Sequence, residues 1–225
     1  MVNVAPWSFS KIKSFEQCPK QFYHEKILKE YPFVPTQATI YGNAFHKAAE
    51  LYIKDGTALP DEFQFAQEFL DKLADKRGVK FCERKMGITE DLKACGFYDK
   101  RVWFRGIADL LIVDVLGDVA WIVDYKTSKS SKHADKGQLE LMALAAFAHF
   151  PEIKKVRAGL VFVLVNDLVN HTYTEHDKGD LWEKWIGKFN NMKEAAGADT
   201  WNARPNGLCR RHCPVVECIH NGANA

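Results

Sequence analysis

The chain stays apolar from Val102 to Val113, breaks at Asp114 to Asp118 around Gly117, and resumes from Val119 to Lys126. Two strands joined by a short turn are the prediction, paired as an antiparallel hairpin. A further strand is expected around Phe81, and Val156 to Val165 is a nearly continuous apolar run of the kind buried on both faces. Helical spacing marks Tyr41 to Lys54, with Phe45, Ala48, Ala49 and Tyr52 on one side, and Phe63 to Arg77. It recurs in Gln138 to Phe150, stopped by Pro151, and in Asp180 to Ala196. An N-terminal helical third followed by strands, a helix, a strand and a helix reads as an α/β chain with a mixed sheet. Trp201 onward is turn-rich and ends in a short polar tail, Asn221 to Ala225; no repeats or low-complexity tracts interrupt the order.

At 225 residues, 47% hydrophobic and 27% charged, the chain can bury a proper core, and no apolar run reaches membrane-spanning length. A net charge of only +2 gives no global argument for a polyanionic partner. Local basic stretches carry that argument instead: Lys129 and Lys132 after the second hairpin strand, Arg210 and Arg211 near the C-terminus, and Lys11, Lys13 and Lys20 near the start. A charge run by itself describes a solvated face. The opening residues, Met1 to Trp7, lack both the basic start and the apolar stretch of a signal peptide, so a cytoplasmic location and free thiols are expected.

The chemistry concentrates at the strand ends. Asp124 and Lys126, two residues apart on one strand, share a face, and the hairpin brings Asp109 beside Asp124. Two adjoining carboxylates repel unless a cation separates them, and a hard divalent ion such as Mg²⁺ or Mn²⁺ suits oxygen ligands. Lys126 beside it can orient or deprotonate an attacking water and balance charge on phosphorus. Asp-x-Lys alone equally describes an exposed ion pair. The strongly apolar runs leading into both aspartates tilt the reading toward function, because unpaired carboxylates there are costly. His46 lies on the predicted helix 41–54, and Glu83, on the strand around Phe81, offers a further carboxylate or a surface salt bridge.

Cys18 stands near the start, and Cys209, Cys213 and Cys218 fall within ten residues near the end, out of six cysteines. Four soft thiolates match either an iron–sulfur cubane or a tetrahedral Zn²⁺. Such a site clips the chain's two ends together, whereas Cys82 and Cys95 read as structural or incidental.

These residues resemble the PD-(D/E)xK nuclease superfamily, in its RecB-like branch, which includes CRISPR-associated RecB-like exonucleases, the AddB nuclease domain and many phage exonucleases. That pattern is a helix with a histidine, a strand ending in Gly-x-x-Asp, a strand ending in Asp/Glu-x-Lys, and a helix with Gln-x-x-x-Tyr. Here Gly-Asn-Ala-Phe-His46, Gly106-Ile-Ala-Asp109, Asp124-Tyr-Lys126 and Gln138 follow in the same order, with Met142 in place of the tyrosine. The segment from Ser8 to Tyr23 around Cys18 resembles the opening of iron–sulfur members of that branch. The late cysteines are spaced Cys-x3-Cys-x4-Cys rather than Cys-x2-Cys-x5-Cys, which leaves Zn²⁺ open.

The resemblance implies a restriction-endonuclease-like α/β core, a central mixed sheet flanked by helices, with a cysteine-bound C-terminal segment closing on the N-terminus. It implies a single nuclease domain over 1–225, in which residues 1–78 are mainly helical, 79–170 form the catalytic core and 171–225 supply a C-terminal helix and cysteine segment. It assigns His46, Asp109, Asp124 and the Tyr125 carbonyl to Mg²⁺ or Mn²⁺, with Glu83 as an added ligand, and Lys126 and Gln138 to catalysis. It further implies a 4Fe-4S cluster on Cys18, Cys209, Cys213 and Cys218. DNA with a free end is the implied substrate, in bacterial or phage recombination, host-DNA degradation or CRISPR adaptation. A structure-specific or nicking endonuclease, an inactive nucleic-acid-binding or redox module and a zinc-stabilised scaffold are the alternatives. The joint presence of Asp109, Asp124, Lys126 and His46 weighs against a decayed site.

Overall fold

The computed structural model describes residues 3–224, which fall into two compact units. One comprises the residues up to Val34 together with those from Glu183; the other is continuous from Pro35 to Trp182.

In the first unit, α1 (Phe9–Gln17) starts where the Ser8 hydroxyl accepts from the Lys11 amide, and it buries Ile12 and Phe15. A short α2 (Pro19–Phe22) follows and runs into one π-helical segment, Tyr23–Leu28. Aromatic side chains make most of this core. Trp7 stacks on Phe189 at 5.6 Å, and Trp201 takes Tyr23 at 5.0 Å and Phe15 edge-on at 6.4 Å. Burying such rings contributes about 2 kcal/mol each.

The second unit begins with α3 (Gln37–Asp55). Thr36 and Thr39 exchange bonds as a capping box, and Gly56, at φ 69°, ends the helix in the left-handed conformation that a glycine adopts without strain. The helix expected over 63–77 is shorter. Pro60 and Asp61–Ala66 form a 3₁₀ turn, α4 occupies only Gln67–Ala74, and Gly78, at φ 122°, turns the chain into the sheet. No side chain caps α4, so its start is set by packing of Phe63 and Leu70 rather than by a local signal.

Six strands follow: β1 (Val79–Thr89), β2 (Ala94–Cys95), β3 (Val102–Asp114), β4 (Val119–Lys126), β5 (Lys155–Phe162) and β6 (Asp167–Thr174), with α5 (Gly137–His149) between β4 and β5. Their order is β2-β1-β3-β4-β5-β6, antiparallel except for β4 and β5, which α5 joins as a parallel pair. This is the expected mixed sheet flanked by helices. The hairpin pairs Leu110 with Val123 and Asp114 with Val119. The strand expected to reach Val165 stops at Phe162, because Asn166, at φ 49°, turns the chain into β6. β6 carries the sheet past residue 170, and only Tyr173 along it is buried. A helix α6 (Lys178–Gly197) follows, close to the expected 180–196.

The two faces are distinct. Phe45, Ala49, Phe63 and Leu70 of the α3–α4 layer bury against Leu110, Ile112, Val123 and Tyr125. On the opposite face α5 is buried almost all round, from Leu139 to Phe147. No helix among the described residues is long and apolar enough to cross a membrane.

Candidate active site

Beyond the Leu110–Val123 pair, β3 and β4 no longer hydrogen-bond, and the carboxylates sit at this parting. Asp109 Oδ2 accepts the Tyr125 backbone N–H at 2.8 Å and lies 3.4 Å from His46 Nδ1. The other imidazole nitrogen, Nε2, is 3.0 Å from the Tyr125 carbonyl. His46 reaches both because α3 packs over Tyr125, whose ring lies 5.7 Å from Phe45.

Burial opposes the charge on His46, but the bond to Asp109 and the charges of Asp109 and Asp124 outweigh it, so its pKa rises. The imidazole thus bridges Asp109 and the Tyr125 carbonyl. Donor atoms of His46, Glu83 and Asp109 all lie within 4.8 Å of one another. Burial, and next the charge of Asp109, raise the Glu83 pKa as well.

Asp124 is 5% exposed and turned to α5. Its Oδ1 accepts from Gln138 Nε2, and Oδ2 lies 2.6 Å from Lys126 Nζ, an ion pair without hydrogen-bond alignment. Lys126 Nζ donates in turn to Gln138 Oε1 at 3.0 Å. Asp124, Lys126 and Gln138 thus form a closed ring of contacts. Burial, followed by the Asp109 charge, pushes the Asp124 carboxyl up to about 6 despite Lys126. Burial and like charge are the signature of a site suited to a cation. The donor set fits one: carboxylate and carbonyl oxygens with one imidazole suit Mg²⁺ or Mn²⁺.

The two strands that carry Glu83 and Asp109 share an irregularity that alternation alone does not predict. Cys82 and Leu110 both pack on the α3–α4 side, and β1 and β3 keep constant register from Cys82–Leu110 to Arg84–Ala108. Yet Arg84 lies over the rings of Phe81 and Phe150, and a Cβ on Gly106 would run into the Met142 side chain of α5. The facing of both strands therefore reverses at Glu83 and Asp109. Glu83 makes the reversal at φ 49°, a conformation strained for a side chain with a Cβ.

Of the basic residues singled out, Lys129 and Lys132 are exposed in the segment after β4, and Arg210 and Arg211 are exposed in the other unit. In that unit Cys18, Cys209, Cys213 and Cys218 line one small cavity. The Arg204 and Asn206 amides each point at a sulfur, Cys18 and Cys209, at 3.4 Å. Burial, and more weakly the other three thiols, raise the Cys213 pKa. Four converging thiols with N–H donors fit a thiolate-held metal or cluster. Cys82 and Cys95 lie elsewhere, on β1 and β2.

A mixed sheet with acidic residues where two strands part, a lysine two positions on and helices on both faces defines a restriction-endonuclease-like fold. The chain belongs to the PD-(D/E)XK nuclease superfamily, whose family model matches residues 6–218. That membership makes divalent metal the cofactor class and nucleic acid the substrate class. No curated protein matches the sequence. Among solved structures, a Eubacterium rectale protein designated a candidate exonuclease is 12% identical, with 91% of this chain and 86% of that one covered and a TM-score of 0.53. SSO0001 is 16% identical over 98% of this chain and 90% of its own, with a TM-score of 0.49.

Proposed function

We propose that the protein is a metal-dependent DNA exonuclease of the RecB-like branch, with a structural 4Fe-4S cluster in its cysteine-bearing unit. The observation that carries the catalytic half of this reading is the His46 imidazole against Asp109 and the Tyr125 carbonyl where β3 and β4 diverge, with Asp124 and Lys126 paired on the adjoining strand end. His46, Asp109, Asp124 and the Tyr125 carbonyl hold Mg²⁺ or Mn²⁺, and Glu83 adds a carboxylate. A divalent cation there polarises the phosphate and acidifies a water. Lys126 orients that water and offsets charge gathering on the phosphate oxygens. Gln138, bonded to both Lys126 and Asp124, holds the lysine in place. Lys129 and Lys132 contact backbone phosphates beside the site, and Arg210 and Arg211 contact DNA from the other unit.

Support for the cluster comes from the convergence of Cys18, Cys209, Cys213 and Cys218 on one cavity with amides directed at two sulfurs. The purified protein should be brown; colourless protein with one zinc per chain replaces the cluster with Zn²⁺. The activity test compares end-labelled linear DNA with the same DNA as a sealed circle, in Mn²⁺ or Mg²⁺, with Asp124→Ala as control. Loss of the linear form alone, abolished in the variant, supports the exonuclease. Cutting of the circle makes it an endonuclease, and no cutting of either leaves a binding or redox module.

A further inference from the structure

The reversal at Glu83 and Asp109 decides what the outer halves of β1 and β3 present. Past it, Met86, Gly106 and Phe104 face inward, so Lys85, Ile107 and Arg105 open on the other face. Lys85 pairs with Ile107 and Gly87 with Arg105 in the β1–β3 register, which sets the three side chains in one patch. Ile107 is 37% exposed. The turn after β2 lays Phe97 and Tyr98 against this patch. Lys85 Nζ donates to the Tyr98 hydroxyl at 3.1 Å and sits 5.4 Å from that ring, and the Arg105 guanidinium lies 5.1 Å from the Phe97 ring. Tyr98 is 75% exposed, with its neighbour Phe97 at 5.0 Å and nearly perpendicular to it. The Asp99 carboxylate beside the patch is engaged by Arg101 at 2.8 Å, and the Glu83 and Glu50 carboxylates lie along the groove that Lys85 also lines.

Two cations and a projecting aromatic ring are the two elements by which proteins hold a single nucleic-acid strand: phosphates on the cations, a base on the ring. The patch is also aligned with the carboxylates. Arg105 is four residues from Asp109 on one strand, about 14 Å at the usual rise. An open groove of about 720 Å³ is lined by both Glu83 and Lys85, with Glu50 and Lys54 of α3 on its far side.

We propose that Lys85, Arg105 and Tyr98 form a subsite for single-stranded nucleic acid, holding the strand a few nucleotides from the scissile phosphate, with a base stacked on Tyr98. The subsite rests on the nuclease reading above for its substrate, but binding tests it separately from cleavage.

The experiment is fluorescence anisotropy of a labelled single-stranded oligonucleotide with the full chain and no added divalent cation. Tyr98→Ala should weaken binding roughly 10-fold, and Tyr98→Phe, which keeps the ring, should restore it. Lys85→Ala with Arg105→Ala should weaken binding and flatten the slope of log affinity against log salt by about 1.4, the value for two lost phosphate contacts on a single strand. Unchanged affinity in these variants, a loss confined to the charge variants, or no binding by the parent overturns the subsite. Digestion by the parent in Mn²⁺ separates the two readings. A parent that binds through Tyr98 but cuts nothing keeps the subsite and loses the nuclease. A parent that cuts while the variants bind as it does keeps the nuclease and loses the subsite.

Discussion

Glu83 and Asp109 stand opposite each other on β1 and β3 at the position where both strands reverse their facing, and both offer carboxylate oxygens to the His46 imidazole. The strain at Glu83 and the proposed metal ligands thus fall on one cross-strand pair. Strain persists where surrounding structure over-determines it, here the rest of the 11-residue β1, which continues in register on both sides of the kink.

The ring of Asp124, Lys126 and Gln138 separates a chemical role from a positioning one. Lys126→Ala should lower cleavage by roughly 10²- to 10⁴-fold with an unchanged circular dichroism spectrum. Gln138→Ala, which removes the amide that bonds both Lys126 and Asp124, should lose roughly 10- to 100-fold. Equal losses in single-turnover assays would place Gln138 at the reacting atoms rather than behind Lys126.

Asp124 makes the metal-free protein pH-sensitive. Its folded pKa, about 6, lies above the unfolded value of 3.8, so the folded state holds the proton more tightly. The advantage is full below about pH 4 and is lost as pH rises through about 6. Asp124→Asn should therefore be the more stable protein at pH 7.5, by up to roughly 3 kcal/mol, with the difference vanishing near pH 4. Urea titrations at the two pH values measure it. A less stable Asn variant at pH 7.5 would show that the Lys126 pairing outweighs burial.

Gly106 has no room for a methyl group because Met142 Cε fills the space. Gly106→Ala should destabilise by roughly 1–3 kcal/mol through overpacking. The obstruction is the end of a flexible side chain, so Met142→Ala in the same protein should return some of the loss. Thermal melts of the four proteins in the double-mutant cycle read this coupling, and strict additivity refutes the contact.

Removing a ligand from the cysteine cavity should act on its own unit. Cys218→Ser should abolish bound iron or zinc and expose residues 201–224 to protease, while the 35–182 unit stays resistant. Mass spectrometry of the fragments shows which unit opens first.

Much of this was legible in the sequence, for reasons that differ by element. The β3–β4 hairpin was visible because the apolar runs Leu110–Val113 and Val119–Val123 flanked a Gly-centred turn, and α5 because Pro151 bounded it. β6 was not, since Leu168, Asn170 and Thr172 are exposed and carry no burial pattern. Asp109, Asp124 and Lys126 stood out from the strand pattern, and His46 and Gln138 from the family resemblance; in the structure His46 contacts Asp109, while Lys126 and Gln138 contact Asp124. The patch of Lys85, Arg105 and Tyr98 was hidden because it depends on one left-handed residue, Glu83. Counting by twos along β1 and β3 puts the wrong residues outside. An acidic residue inside a strand whose neighbours on both sides read as inward-facing is the only trace the sequence carries.

One unit is discontinuous in sequence, and the other is a single stretch between its two segments. Synthesis therefore imposes an order. Residues 35–182 can complete their sheet while Phe189 and Trp201, the aromatic partners of Trp7, Phe15 and Tyr23, have yet to leave the ribosome. Of the two units the sheet is then the earlier to mature and the cysteine cavity the later, since Cys18 waits for Cys209, Cys213 and Cys218. Ribosome-bound chains arrested so that residue 182 has left the exit tunnel while Phe189 and Trp201 remain inside it should already protect 35–182 from protease and leave residues 3–34 open.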